Sequence, residues 1–387
     1  MIFMGPLFRR EQESEIQKNT RIGSSNAANS FQWSIIDGLC AQLDDGLSII
    51  HALPVGTWPR RYGKAILPDE KWNFCGAECH EVGCVNIPVL KQWDRYRRAW
   101  NLIRHLRNEK ILLCTTYMPF LWALSRLDRS NQITMIVTDL PEYADLHRVS
   151  GFRKMLRRLH NRMIYRFMKR VDRFVLLTEQ MKEPLNVGER PYTVMEGIWG
   201  GDPEEFPEAS RKRVILYSGR LNARYGVQNL LDAFRALEDE TVELWICGNG
   251  EMEDAVRAAA REDHRIRFLG FCPQREVWQM QRQVAVLVNP RQNREDFTKY
   301  SFPSKTMEYL ASGTPVLMYR LDGIPGEYDQ WLHYVPGNRV EDLTKAMADL
   351  LAEDSALLEE KSRNGRRFIL EQKNARVQTG KILELMK

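Results

Sequence analysis

Short apolar runs and longer amphipathic stretches alternate from one end of this chain to the other. Residues 1–8, 47–53, 111–116, 133–138 and 173–178 have the length and apolar content of buried strands, and between them residues 92–107 and 119–127 repeat apolar positions at helical spacing. The order then starts again. Residues 213–218, 242–247, 266–269, 284–288 and 315–318 read as strands, with helical patterns at 227–237, 251–261 and from Pro303 to the Gly313 stop. Two helices, 340–352 and 357–371, and a last piece to Lys387 close the chain. This alternation predicts an α/β protein whose sheets are mainly parallel and covered by helices. A stretch rich in Gly and Pro, 184–213, separates the two series and marks a domain boundary. Residues 54–88 show no clear period and read as an irregular excursion.

At 387 residues the chain has room for two domains, each with its own core. A hydrophobic share of 43% beside 28% charged residues is that of a globular protein. No run reaches the ~18–20 apolar residues of a membrane span. Residues 1–8, followed by Arg9 and Arg10, have the order of a first strand rather than of a leader peptide. The seven cysteines are odd in number and mostly sit in apolar runs, which points to free thiols and a cytoplasmic location. Cys75, Cys79 and Cys84, with His80 among them, suggest zinc, but no second paired cluster follows and a loop with free thiols is favoured.

The net charge of +5 is unevenly placed. Residues 151–171 hold eight cations (Arg153, Lys154, Arg157, Arg158, Arg162, Arg166, Lys169 and Arg170) and no acid, so the remainder of the chain carries −3. In the same segment Phe152, Met155, Leu156, Leu159, Met163, Ile164, Phe167, Met168 and Val171 follow helical spacing. Such a helix can lie on an anionic membrane face, or pack its stripe on a sheet and leave the cations in water. The two roles are compatible: stripe inward, cations toward lipid head groups. Nucleic acid is not expected, because no aromatic platform accompanies the charges.

Ligands of open α/β sheets gather outside the carboxyl ends of the strands. Asp139 and Glu142 follow the run 133–138, and a capping Asp before Pro141 is an equally good reading of the first. The small polar loop Gly23-Ser-Ser-Asn-Ala-Ala-Asn29, which includes Asn26, follows the first strand without a GxGxxG pattern, so no dinucleotide fingerprint is present. In the second half Gly219, Arg220 and Arg224 stand at one strand end, and Gly248, Gly250, Gly270 and Phe271 mark two more. Solvated arginines and ordinary turns are the plain alternatives.

The stretch Lys299-Tyr-Ser-Phe-Pro-Ser-Lys-Thr-Met-Glu-Tyr-Leu-Ala-Ser-Gly-Thr-Pro-Val-Leu317 gathers more signals than any of these. Pro303 suits the first helical position, Ser301 or Ser304 can cap the open donors, and Gly313 ends the helix. Free N–H groups, the helix dipole and Lys305 together suit a phosphate. Glu308, one turn beyond Ser304, can accept hydrogen bonds from sugar hydroxyls. A capped helix with solvated Lys305 and Glu308 would have the same residues.

Phe302-Pro-Ser-Lys-Thr-Met-Glu-Tyr-Leu-Ala-Ser-Gly-Thr-Pro-Val316 resembles the donor-site signature of family 4 glycosyltransferases, which have the GT-B fold. Tyr217-Ser-Gly-Arg-Leu-Asn-Ala-Arg-Tyr-Gly226, Cys247-Gly-Asn-Gly-Glu251 and Phe268-Leu-Gly-Phe271 resemble the preceding donor-domain motifs in the family's order. The loop 23–29, Phe31-Gln-Trp33 and Val137-Thr-Asp-Leu-Pro-Glu142 are similar to members that build exopolysaccharide or capsule sugars. The resemblance implies two Rossmann-like domains facing across a cleft: an acceptor-binding domain at 1–195 and a nucleotide-sugar donor domain at 196–370, with a last helix, 371–387, packing back on the first. It also implies transfer of a sugar from a nucleotide sugar with retention of anomeric configuration, to a saccharide acceptor. A lipid-linked acceptor would suit the cationic helix.

Carried over by position, Arg220 holds the diphosphate, Glu308 the ribose, and the backbone near Gly270 and Phe271 the base. Gly219, Arg224, Gly248, Gly250, Tyr300, Ser301, Phe302, Ser304 and Lys305 complete the expected donor site. Gly23, Asn26, Asp139 and Glu142 form the expected acceptor side, and Arg220, Lys305 and Asp139 are the expected catalytic residues. No metal or cofactor is expected, since the cations and the helix N-terminus can stabilise a departing diphosphate. Two positions depart from the family pattern. Tyr225 replaces the Lys common before Gly226, leaving that charge to Arg224 or Lys305. Tyr300 stands where many members have a donor-sugar Glu, which points to Glu295, Asp296 or backbone amides near Ser301. That departure motivates an alternative reading, a catalytically silent nucleotide-sugar-binding subunit of a membrane polysaccharide complex. A nicotinamide-dependent oxidoreductase lacks its glycine fingerprint.

Overall fold

The computed structural model describes residues 1–21, 26–43, 46–143, 151–201, 211–294 and 296–387, with the side chains of Asn26, Phe152, Arg153 and Asp296 left aside. The chain divides into two compact units, residues 1–200 with 375–387, and residues 201–374. The first crossing falls inside the Gly- and Pro-rich stretch.

In the first unit β1 (Ile2–Gly5) leads through α1 (Glu13–Asn19) and α2 (Asn26–Cys40) to β2 (Ser48–His51). There follow β3 (Ile66–Leu67), β4 (Glu70–Phe74), β5 (Ala77–Glu81), β6 (Cys84–Val85), α3 (Leu90–Ile103), β7 (Lys110–Cys114), α4 (Met118–Leu124), β8 (Gln132–Val137), α5 (Gly151–Met168), β9 (Arg173–Leu176) and β10 (Tyr192–Val194). Among the described residues the main sheet runs β10-β9-β8-β7-β1-β2-β5-β4, parallel except for the β4–β5 pair. Its central strands are unbroken apolar runs because helices cover both faces. Right-handed crossovers send α2 to one face and α4 and α5 to the other, since the strand order grows in opposite directions from β1 and β7. On the α2 side, Trp33, Ile36, Ile382 and Met386 share a core with Phe3 and Leu112. The chain's last helix, Ala375–Leu385, lies against α2 at Gly38, where a Cβ would come within 2.5 Å of the Ala375 carbonyl.

Residues 54–88 are not wholly irregular. Glu70–Phe74 and Ala77–Glu81 form an antiparallel hairpin that adds two strands to the sheet edge, with Phe74 paired to Ala77 across the two-residue turn Cys75-Gly76. Both turn residues have positive φ, 47° and 77°, the twist that a tight hairpin requires. Cys replaces the usual Asn at the first of them, which hid the turn.

In the second unit β11 (Lys212–Ser218), α6 (Val227–Arg235), β12 (Glu243–Cys247), α7 (Glu253–Glu262), β13 (Ile266–Gly270), α8 (Gln274–Gln283), β14 (Val284–Asn289), α9 (Ser304–Ser312), β15 (Val316–Met318), β16 (His333–Tyr334), α10 (Val340–Ala352) and α11 (Ser355–Gln372) follow in order. The parallel sheet runs β13-β12-β11-β14-β15-β16. Strand order reverses between β11 and β14, and such a switch point opens a crevice at the carboxyl ends of those strands. Helix α8 was not predicted from the sequence, because only Val277 and Gln281 of its ten residues are buried.

His51 ends β2 in the core of the first unit. Its Nδ1 lies 3.1 Å from the Leu7 carbonyl, and the Trp72 indole N–H donates to Nε2 at 3.0 Å, so the ring is a neutral Nδ1–H tautomer with no site for a second proton. Burial lowers its pKa to about 4. The unfolded chain therefore takes up this proton first, near pH 6.5, and the folded protein loses stability as pH falls from there to about 4, then no further. Chemical denaturation of wild type and His51→Gln across pH 4–7 should show an acid-dependent difference of about 3 kcal/mol. Parallel pH profiles would remove this role.

Candidate functional site

At the carboxyl edge of the second unit three strand ends are joined by backbone hydrogen bonds. Gly219 N–H donates to the Cys247 carbonyl at 2.9 Å, Gly248 N–H to Gly270 at 2.7 Å, and Leu221 N–H to Asn249 at 2.9 Å. This approach admits no side chain at Gly248, whose φ is 149° and whose Cβ would lie 1.8 Å from the Gly219 carbonyl oxygen. Gly250, at φ 154°, is closed in the same way by the Leu221 carbonyl. The expected donor glycines thus meet as bare backbone, while Arg220 beside them is exposed. Arg224 is half-buried, its backbone N–H bonded to the Asn222 side chain at 2.9 Å. Gly270 has open space about it, and Phe271 is 71% exposed.

Helix α9 begins one residue later than its Pro suggests. Pro303 is the N-cap with extended ψ, no side chain caps the first turn, and the Ser301 hydroxyl instead accepts from Arg291 at 2.9 Å. Gly313 closes the helix in the left-handed region. Lys305 and Glu308 are not merely solvated. The Lys305 ammonium donates to both Glu308 oxygens at 2.9 and 3.0 Å, and Gln281 of α8 donates to Glu308 Oε1 at 2.6 Å and to the Ser218 hydroxyl at 3.1 Å. Burial opposes the charge on Lys305, but Glu308 outweighs it and holds the ammonium above its ordinary range. An ammonium has three donors, so one remains for a ligand. Ser304 is exposed next to it.

Phe302, expected in the donor site, turns its ring inward. Its ring is buried against Tyr328 with centroids 5.3 Å apart, so only its backbone is at hand. Tyr300 is half-buried with the Lys299 ammonium 5.0 Å over its ring. Glu295 and the Asp296 side chain lie outside the described residues.

The expected acceptor-side residues belong to the first unit. Asp139 follows β8 and reaches solvent, yet the protein around its carboxyl removes enough water to push its pKa up to about 6. Glu142 is tied to α5: the Tyr165 hydroxyl donates to its carboxylate at 2.8 Å and Arg157 to its carbonyl at 2.8 Å. Gly23 and the Asn26 side chain lie outside the described residues. Cys75, Cys79 and Cys84 are free thiols, and no group of three or more potential metal ligands occurs among the described residues.

Some polar residues of this architecture were missed in the sequence. Gln281 and Tyr309 are one pair, and Lys91 and Arg95 are another. On α3 these two cations share a face with Ala99 and Ile103, at steps of four residues, and that apolar face was the available signal. Arg95 donates to the Tyr117 hydroxyl, and burial followed by Arg95 lowers the Lys91 pKa to about 7.

Residues 212–353 match the family model of glycosyl transferases group 1. The chain carries a group 1 glycosyltransferase domain. That makes it a transferase enzyme, and the glycosyltransferase domain coincides with the strand ends and α9 just described. The chain is similar over part of its length to a Pseudomonas aeruginosa protein described as "Probable glycosyltransferase WbjE", 27% identical over 283 residues, 65% of this chain and 67% of the relative. It is also 32% identical over 156 residues to D-inositol 3-phosphate glycosyltransferase of Corynebacterium glutamicum, a match spanning 37% of this chain and 36% of that protein. The structure of Anabaena Alr3699/HepE in complex with UDP superposes with a TM-score of 0.62 at 12% identity, over 99% of this chain and 98% of that one. The fold is GT-B, built from two Rossmann-like units.

Two glycines separate close approach from backbone strain. Gly248→Ala should cost about 3 kcal/mol in chemical denaturation because its Cβ meets backbone, and Gly270→Ala about 1 kcal/mol from its φ of 70° alone. Equal losses would mean that the strand ends are free to part.

Proposed function

We propose that the protein transfers a sugar from a nucleotide-sugar donor to a saccharide acceptor with retention of configuration, in the assembly of a cell-surface polysaccharide. The observation that carries this reading is the group formed by Lys305, Glu308, Gln281 and Ser218 at the uncapped N-terminus of α9, beside a topological switch point. The diphosphate of the donor takes the open N–H groups of α9, the remaining Lys305 donor and Arg220, with Arg224 near. Glu308 accepts from the ribose, and the backbone about Gly270 and Phe271 faces the base.

In the reaction the bond from the anomeric carbon to the diphosphate oxygen breaks, and a bond to the acceptor oxygen forms on the same face. The acceptor's proton passes to the departing phosphate, so no separate base is required. Charge developing on the diphosphate is met by preorganised cations and helix N–H groups rather than by a metal ion. Asp139 is the carboxylate that orients the acceptor. With a pKa near 6 it is mostly ionised at neutral pH and accepts a hydrogen bond from a second hydroxyl of the acceptor, leaving the attacking hydroxyl's proton for the phosphate. A lipid-linked acceptor at an anionic membrane surface fits the basic α5, and no helix of the described residues is long and apolar enough to cross a membrane.

Purified protein supplied with a panel of nucleotide sugars and lipid-linked saccharides should consume one donor, give product of unchanged anomeric configuration, and keep its rate in a metal chelator. Lys305→Ala should lower kcat by about a hundredfold. Consumption of no donor with any acceptor would favour the silent subunit, the reading that Tyr300 in place of an acidic residue supports.

A further inference from the structure

The apolar stripe of α5 does not turn inward along its whole length. Ile164 and Met168 are buried, while Met155, Leu156 and Leu159 in the first half are exposed among Lys154, Arg158 and Arg162. A second exposed apolar surface lies at the start of α3. Val89 is 89% and Trp93 50% exposed, and Ile87 and Leu90 are exposed with them. Ile66 and Trp58 join this surface, because Ile66 pairs with Val85 and Trp58 N–H donates to the Asn86 carbonyl at 2.9 Å.

Val89 is held there against its own preference. Its φ of 69° and ψ of −54°, with Leu90 N–H bonded to the Pro88 carbonyl at 2.9 Å, form a strained γ-turn that a β-branched residue rarely adopts. Strain that displays an isopropyl group to water gains nothing for the fold.

The two surfaces belong to one helix layer. Trp122 of α4 stacks on Tyr96 of α3 at 3.8 Å and lies parallel to Phe167 of α5 at 6.0 Å, so α3, α4 and α5 stand side by side. Helices α3 and α5 each lead into a strand of the parallel set β7-β8-β9, so both start at the carboxyl edge of the sheet. The charge about the α3 surface is also positive. Arg60 and Arg61 are exposed without an ion pair among the described residues, and Arg97, paired with the buried Asp94 at 3.2 Å, lies over the Trp93 ring at 5.7 Å. Tryptophan beside arginine, with aliphatic side chains pointing outward, suits the boundary between lipid head groups and acyl chains.

We propose that Val89, Leu90 and Trp93, with Trp58, insert into an anionic lipid surface and form a second attachment point beside α5. This rests on the reading of α5 as a membrane-facing helix, and adds a hydrophobic anchor that is independent of its cations. One acyl-depth contact and one electrostatic contact would hold the acceptor side of the first unit at the bilayer, where a lipid-linked saccharide is presented.

The test is sedimentation of the full-length protein with vesicles of phosphatidylcholine, with and without phosphatidylglycerol, at low and high salt. The Val89→Ser/Trp93→Gln double variant should bind anionic vesicles about tenfold more weakly, at both salt concentrations. Arg158→Glu/Arg162→Glu should lose at least about tenfold at low salt, and that difference should fade at high salt. If the first variant binds like wild type while the second does not, the α3 anchor is wrong and the α5 reading stands. If wild type binds neither kind of vesicle, both fail. If wild type self-associates in analytical ultracentrifugation and Val89→Ser/Trp93→Gln does not, the surface joins two copies of the chain and the lipid proposal is overturned.

Discussion

One buried hydroxyl fixes the carboxyl edge of the second unit. Tyr309 receives a hydrogen bond from the Ser218 N–H at 3.0 Å and donates to the Ser218 carbonyl at 3.1 Å, where β11 leaves its sheet. A strand end buried without partners would lose the net value of two backbone hydrogen bonds and their desolvation as well. The phenol closes that end and in doing so sets the position of α9, one residue on from Glu308. Gln281 then ties the Ser218 hydroxyl to Glu308, and Glu308 holds Lys305. The members are linked in series through the Gln281 amide N–H groups, so the charged first turn of α9 has little freedom to reorient before a ligand arrives. Preorganisation of this kind is what stabilising a departing diphosphate requires.

The first unit solves a different problem. Its sheet is covered on one face by α2 and the last helix, and on the other by α3, α4 and α5, joined through the Tyr96, Trp122 and Phe167 rings. Burial is completed by the later part of α5, which leaves its first turns and the start of α3 free to carry apolar groups that the core does not use. Glu142 belongs to this arrangement, since Tyr165 and Arg157 of α5 hold it. Asp139 is left accessible at the end of β8, with a raised pKa and no ion pair among the described residues.

The parallel sheets were legible because buried strands make unbroken apolar runs, and α9 because Pro303 and Gly313 bracket it. What escaped was polar or two-sided. The hairpin of β4 and β5 alternates at a sheet edge, with Lys71 and Glu78 outward, Glu81 buried on the other face, and a Cys where its turn favours Asn. Helix α8 buries only Val277 and Gln281, too few positions to show a period, and so Gln281, the residue that joins β11 to Glu308, was invisible. The α5 stripe was legible as a stripe, but sequence spacing cannot say how far along its length a helix finds a neighbour. Lys91 and Arg95 were hidden for the opposite reason, being cations on an apolar face.

The central claim is that the Lys305 and Glu308 end of α9 holds a nucleoside diphosphate, and calorimetric titration addresses it most directly. Wild type, Lys305→Ala and Glu308→Ala would each be titrated with a panel of nucleoside diphosphates, with thermal unfolding checked for each protein. The account predicts that one diphosphate binds wild type and that each substitution weakens it by about tenfold. Equal affinity in all three proteins would contradict it, and would place the nucleotide away from α9.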